Sequence, residues 1–146
     1  MEEIDRDLPV AIAATSIANG VKRIAVISSI GANPASPNYY LRIKGEMEKE
    51  ILKLGFENTA IVRPSILMGE RKESRKGEYA GKIMINIFNP LLHGKMKKYR
   101  SIHGGDVAKA MISLLSRDQV KPVYESDELR LIADRYRQEE MKKGVV

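Results

Sequence analysis

The chain has 146 residues, 43% hydrophobic and 30% charged, which suits one folded domain spanning 1–146 and excludes wholesale disorder. It has no cysteine, so disulfides and thiolate-bound metals are excluded; a reducing, cytoplasmic setting is the expectation. The net charge of +6 admits a nucleic acid, an anionic membrane or a phosphorylated ligand, but two phenylalanines and six tyrosines are poor material for a base-stacking platform.

The N-terminal "MEEIDRDLPV" is acidic and lacks the basic and apolar regions of a secretory signal. No apolar run approaches the roughly 18 residues that span a bilayer. Residues 5–19 read as an alanine-rich helix, with Asp5 or Asp7 as cap, Pro9 in the first turn and Gly20 as the stop. "KRIAVISS" is apolar on nearly every position, the pattern of a strand buried on both faces of a parallel sheet. A loop, "IGANPASPN", follows.

Residues 39–54 predict a strong helix, with Leu41, Ile43, Met47, Ile51 and Leu54 near helical spacing and Gly55 after it. "TAIVRPS" is a second strand-like run, ended by Pro64. A polar loop runs from Met68 to about Glu78, and 79–88 is a weaker helix candidate. The basic clusters "ERKESRKGE" and "GKMKKYR", with Arg71, Arg75, Lys95 and Lys97, read as solvated loops; a phosphate-facing patch is the other reading. An extended piece near Tyr99 to Ile102 precedes "VAKAMISLLSR", an amphipathic helix expected to be capped by Asp106. "KPVYES" is a third strand candidate, and "DELRLIADRYRQEEMKK" a last helix with acids early and lysines late. His93 and His103 lie far apart, so no metal site is expected.

This alternation implies an α/β fold with a mostly parallel sheet flanked by helices. It opens on a helix with no strand before it, so the sheet reads as lacking its first part. The expected strands are 23–29, 58–64 and about 121–126.

In a parallel sheet, ligands bind past the carboxyl ends of strands. Ser28 and Ser29 stand at such an end, and the loop after them leads to Tyr40 and Lys44. Residues i and i+4 share a helix face. An ammonium beside a phenol favours the phenolate, which suits the tyrosine to acid–base work on a carbonyl or alcohol oxygen. A serine hydroxyl aimed at that oxygen would orient it. The spacing alone is weak: six tyrosines and fourteen lysines give about 0.6 chance matches to Tyr-x-x-x-Lys in a chain of this length. Its place after a strand ending in Ser-Ser gives it more weight.

The stretch "RIAVISSIGANPASPNYYLRIKGEMEKEILKLGFENTAIVRPSILMGER" and the later "YRSIHGGDVAKAM" resemble the catalytic half of the atypical short-chain dehydrogenase/reductases. Within them the chain is most similar to the NAD(P)H-binding oxidoreductases related to the Tat-interacting protein and to sugar-nucleotide epimerases. The resemblance covers about residues 5–135. It implies a Rossmann-like domain, NAD or NADP as cofactor and a small carbonyl or sugar-nucleotide-like substrate. Tyr40 would be the acid/base, Lys44 would hold the ribose, and Ser29 rather than Ser28 would polarise the substrate. Ser28, Arg63, Pro64 and Ser65 complete the implied cofactor contacts. The family's Gly-x-x-Gly-x-x-Gly turn, which binds pyrophosphate, is missing: the eleven glycines nowhere form it after a strand. The expectation is therefore a partial Rossmann-like fold, lacking the N-terminal glycine-rich βαβ portion. The chain would be a C-terminal portion with short-chain-dehydrogenase-type oxidoreductase or epimerase-like chemistry. The alternative is a non-catalytic remnant of that fold acting as a regulatory or protein-binding module. An uncovered apolar strand edge at 23–29 predicts a homo-oligomer.

Overall fold

A computed structural model describes residues 2–65, 67–68, 94–118 and 121–144. The expected helix over 79–88, most of the polar loop before it, and Arg71 and Arg75 lie outside the described residues.

A π-type turn, Glu3–Asp7, runs into helix α1, Leu8–Ala18. Pro9 sits in its first turn, and Gly20, at φ +82°, ends it in the left-handed region that glycine adopts freely. Neither expected aspartate caps it. Asp7 is itself helical and makes no capping bond, and Asp5 reaches across to Lys44. Strand β1, Arg23–Ile27, leads through the loop to α2, Tyr39–Lys53. Asn38 caps α2, its side-chain oxygen accepting from the Leu41 amide at 3.1 Å.

Strand β2, Asn58–Arg63, and the short β3, Leu67–Met68, follow. "GKMKKY", expected as loop, forms a 3-10 helix, Gly94–Tyr99, tied down where Lys98 meets Glu125 at 3.0 Å. Strand β4, Ile102–His103, enters α3, Gly104–Ser116. Asp106 is not its cap: α3 begins two residues earlier, and the Asp106 carboxylate accepts instead from Arg137 on the last helix. Strand β5, Val123–Glu125, and α4, Ser126–Lys142, close the described chain. A capping box joins Glu125 and Glu128 at the start of α4.

The structure is α/β, of the partial Rossmann-like kind expected. Strands β1, β2 and β5 form a parallel sheet in that order, with Ala25 opposite Ala60 and Ile61 opposite Val123. Side chains alternate between two helical layers. On one face Ala60, Val62 and Tyr124 pack with Val107, Ala110 and Leu114 of α3 and Leu129 of α4. On the other, Ile24 and Val26 pack with Ala13 and Ile17 of α1 and Met47 and Ile51 of α2. The buried central strand is β2, whose Ala60, Ile61 and Val62 are fully covered. β1, whose run reads as apolar on both faces, is an edge strand, as the uncovered edge expected at 23–29 requires, and its Ile27 is 47% exposed. An apolar run reports what two faces favour, but not whether a neighbour occupies the edge. β3 and β4 form a separate two-stranded parallel ladder, Leu67 opposite Ile102. β3 follows the carboxyl end of β2 after only three residues.

Candidate functional site

The carboxyl ends of β1 and β2 lie side by side. The ladder runs on past β1: the Ser28 amide donates to the Val62 carbonyl at 2.8 Å, and the Ile30 amide to the Pro64 carbonyl at 3.2 Å. This pairing draws Ser28 inward. It is only 4% exposed, and its hydroxyl has no hydrogen-bond partner among the described residues. A buried hydroxyl without a partner is costly, so such an atom asks for an explanation. Ser29 differs. Its hydroxyl makes one long contact, 3.4 Å to the Ile30 carbonyl.

The loop then doubles back over α2. The Asn33 amide donates to the Leu41 carbonyl at 3.0 Å, and Arg42 donates to the Ser36 carbonyl at 3.2 Å. Gly45 makes this approach possible: a Cβ there would lie 2.4 Å from the Asn33 carbonyl carbon and the Pro34 nitrogen. Its signal in the sequence was a glycine inside an otherwise good helix, where it costs about 1 kcal/mol relative to alanine and so needs a packing reason.

Tyr40 and Lys44 share a face of α2 as the spacing predicts, the Lys44 ammonium 5.9 Å from the Tyr40 ring centroid. Its nearer partner is Asp5, at 3.1 Å, in an ion pair whose lysine side chain is 12% exposed. The acidic segment before α1 thus lies along α2. Arg6 bonds Glu46 at 2.9 Å, and the Tyr39 hydroxyl donates to Glu2 at 3.0 Å, which holds the Tyr39 phenol above its ordinary pKa. No hydrogen bond joins the Tyr40 hydroxyl to Ser28 or Ser29. The structure therefore brings Tyr40 and Lys44 together, but it satisfies the lysine charge with a carboxylate.

Arg63, Pro64 and Ser65 are occupied in holding the sheet end together. The Arg63 guanidinium grips Glu48 of α2 with both prongs, at 2.8 and 2.5 Å, and this bond raises its already high pKa. The Pro64 carbonyl takes the Ile30 amide. The Ser65 amide donates to the Ser126 hydroxyl at 2.6 Å, and the Ser65 hydroxyl donates to the Arg100 carbonyl. Glu48, 4% exposed, was not picked out from the sequence, where it looks like one more acid in "EMEKE". His103 stands at the N-terminal end of α3 and is exposed. No cluster of metal-ligating side chains occurs among the described residues.

These features define a class: a parallel α/β domain whose buried serine and helix-borne tyrosine and lysine stand at or near the sheet's carboxyl edge. No family model matches the chain. It is similar to fungal proteins that carry one name, "Protein FMP52, mitochondrial". It is 40% identical to that of Candida glabrata over 95 residues, covering 65% of this chain and 40% of the relative. It is 34% identical to that of Candida albicans over 131 residues, covering 72% and 57%, and 34% identical to that of Kluyveromyces lactis over 137 residues, covering 90% and 61%. The chain spans about half the length of these curated relatives.

The comparisons correct four expectations. The relatives are consistently mitochondrial FMP52 proteins, so membership of the short-chain dehydrogenase/reductases, near the Tat-interacting protein, is overturned. With it fall the oxidoreductase or epimerase-like activity and its alternative, a regulatory fold remnant. The cytoplasmic assignment falls too, since it rested on missing cysteines, which exclude disulfides without separating one compartment from another. The physical weakness lay in the motif. Tyr-x-x-x-Lys is expected by chance, and parallel α/β sheets host many unrelated functions.

Proposed function

We propose that the chain is a small-molecule-binding part of a mitochondrial protein, with its ligand at the carboxyl ends of β1 and β2. The ligand class we assign is a nicotinamide dinucleotide, NAD or NADP. The observation that carries the proposal is the Ser28 hydroxyl, buried and unpartnered where two parallel strands end. A polar ligand group there would satisfy it. Tyr40 and Lys44, one turn apart on α2, offer a second contact surface. Compartment comes from the relatives' shared name. Binding is expected to be weak, because no glycine-rich turn is present in the sequence to hold a pyrophosphate.

Fluorescence titration with NADH and NADPH tests this reading. Loss of one neutral hydrogen bond in Ser28→Ala is expected to weaken binding about fivefold. Equal affinity of parent and Ser28→Ala, or no binding by the parent, sinks it.

The proposal extends to self-association. Ile4, Leu8 and Ile12 form an exposed apolar ridge along α1 and the turn before it. Ala11, Ile12 and Val21 help line an open groove of about 450 Å³ between α1 and the start of β1. Thr15 and Ser16 turn their hydroxyls back onto the Ala11 and Ile12 carbonyls, which leaves that face apolar. Glu3 lies at one end of the ridge and Lys22 at the other, so two copies related by a two-fold axis would set acid against base. A dimer is the expected state, and Ile12→Glu with Leu8→Glu is expected to return it to monomer by sedimentation. A monomeric parent defeats the idea.

A further inference from the structure

We infer that Arg100 and Arg130 form a phosphate-binding pair beyond the carboxyl ends of β2 and β5. The inference is independent of the Ser28 site. Arg100 directly follows the 3-10 helix, and its backbone is fixed twice: its amide donates to the Lys97 carbonyl at 3.1 Å, and its carbonyl accepts from the Ser65 hydroxyl. Arg130 lies one turn into α4, four residues after Ser126, which accepts from the Ser65 amide. Its guanidinium donates to the carbonyl of Ser101, the residue next to Arg100. The Arg130 guanidinium is thus held beside the backbone that carries Arg100, close enough for the two charges to act on each other.

Nothing among the described residues neutralises them. The Arg100 Nε is buried and has no partner. Neither arginine forms an ion pair among the described residues. The acids that act on Arg130 are Asp106, Asp127 and Asp134; Asp106 and Asp134 are bound to Arg137, and no hydrogen bond joins Asp127 to Arg130. Glu125, nearby on β5, is taken by Lys98. Burial lowers the Arg130 pKa, and the charge of Arg100 lowers it further, the direction expected of two unanswered cations. Elsewhere in the fold Arg63 is answered by Glu48 and Arg6 by Asp7 and Glu46, while Arg42 rests on the Ser36 carbonyl and the Tyr39 ring. An unpaired, partly desolvated pair of guanidiniums is costly unless an anion completes it, and their planar forks match phosphate oxygens. The ligand class is the phosphate or pyrophosphate group of a small molecule.

Calorimetric titration of the whole chain with inorganic pyrophosphate at fixed ionic strength tests the pair. One saturable site is expected, weakened roughly tenfold or more by Arg100→Gln or Arg130→Gln and unchanged by Lys142→Gln, which removes the same charge from the far end of α4. In pyrophosphate-free buffer Arg100→Gln is expected to melt at or above the parent's temperature, because it removes a repulsion, whereas Arg130→Gln also loses the bond to the Ser101 carbonyl and is read by binding alone. That second readout separates a ligand site from a structural bond. Absence of saturable binding, or equal weakening by Lys142→Gln, overturns the inference.

Discussion

Replacing Gly45 by alanine is expected to destabilise the fold by about 2–3 kcal/mol, the upper range for overpacking, and to displace the loop over 30–38. The added Cβ would lie 2.4 Å from two backbone atoms of Asn33 and Pro34, and 2.7 Å from the Asn33 Cα. Flexible side chains yield to such a clash, but this backbone is held. The Asn33 amide is bonded to Leu41, and the Asn33 side chain accepts from the Ala35 amide at 2.9 Å. Alanine's better helix propensity returns only about 1 kcal/mol. For a chain of this size the net loss lowers the melting temperature by roughly 10 °C. Because the same loop follows Ser28, ligand affinity should fall with stability. A melting temperature equal to the parent's would show that the loop does not rest on α2 at Gly45.

Removing the Glu48 carboxylate is expected to cost about 3 kcal/mol in Glu48→Ala, since it strands the Arg63 charge at a largely buried site. The pair joins α2 to the end of β2 through two bonds, with side chains 6% and 22% exposed. The exposed fifth of Arg63 lets water return to part of the guanidinium, which keeps the loss near the lower end of the range. Changing both partners, Glu48→Met with Arg63→Leu, should restore most of the lost stability, because a well-packed apolar pair avoids the desolvation cost. Denaturant unfolding of the two single variants and the double one measures the coupling. Additive losses would mean that the ion pair is not the link.

Local pattern made much of the fold legible. The strand runs "RIAVI" and "TAIVR" and the helix from Tyr39 onward stand where β-branched content and helical spacing place them. Caps were less legible. Asp106 looks like a cap in sequence but bonds Arg137, thirty-one residues away, and that partner is set by how α3 meets α4. Tyr40 and Lys44 were legible as a pair because i, i+4 geometry is local. That Lys44 is answered by Asp5 was not, because a whole helix, a strand and a loop lie between them in the chain.

The sequence by itself determined the α/β class, the parallel order of strands and helices, and the candidate serine, tyrosine and lysine, because periodicity, turn residues and strand ends are local properties of the chain. Tertiary structure alone decided that β2 is the buried centre, and that Glu48 is the buried partner of Arg63. It also decided that Gly45 is a contact point and that Ser28 and the Arg100 Nε are left without partners. Each of these depends on which distant segment occupies the space beside a residue, and burial and charge pairing are fixed by that neighbour and not by the residue's own position in the chain.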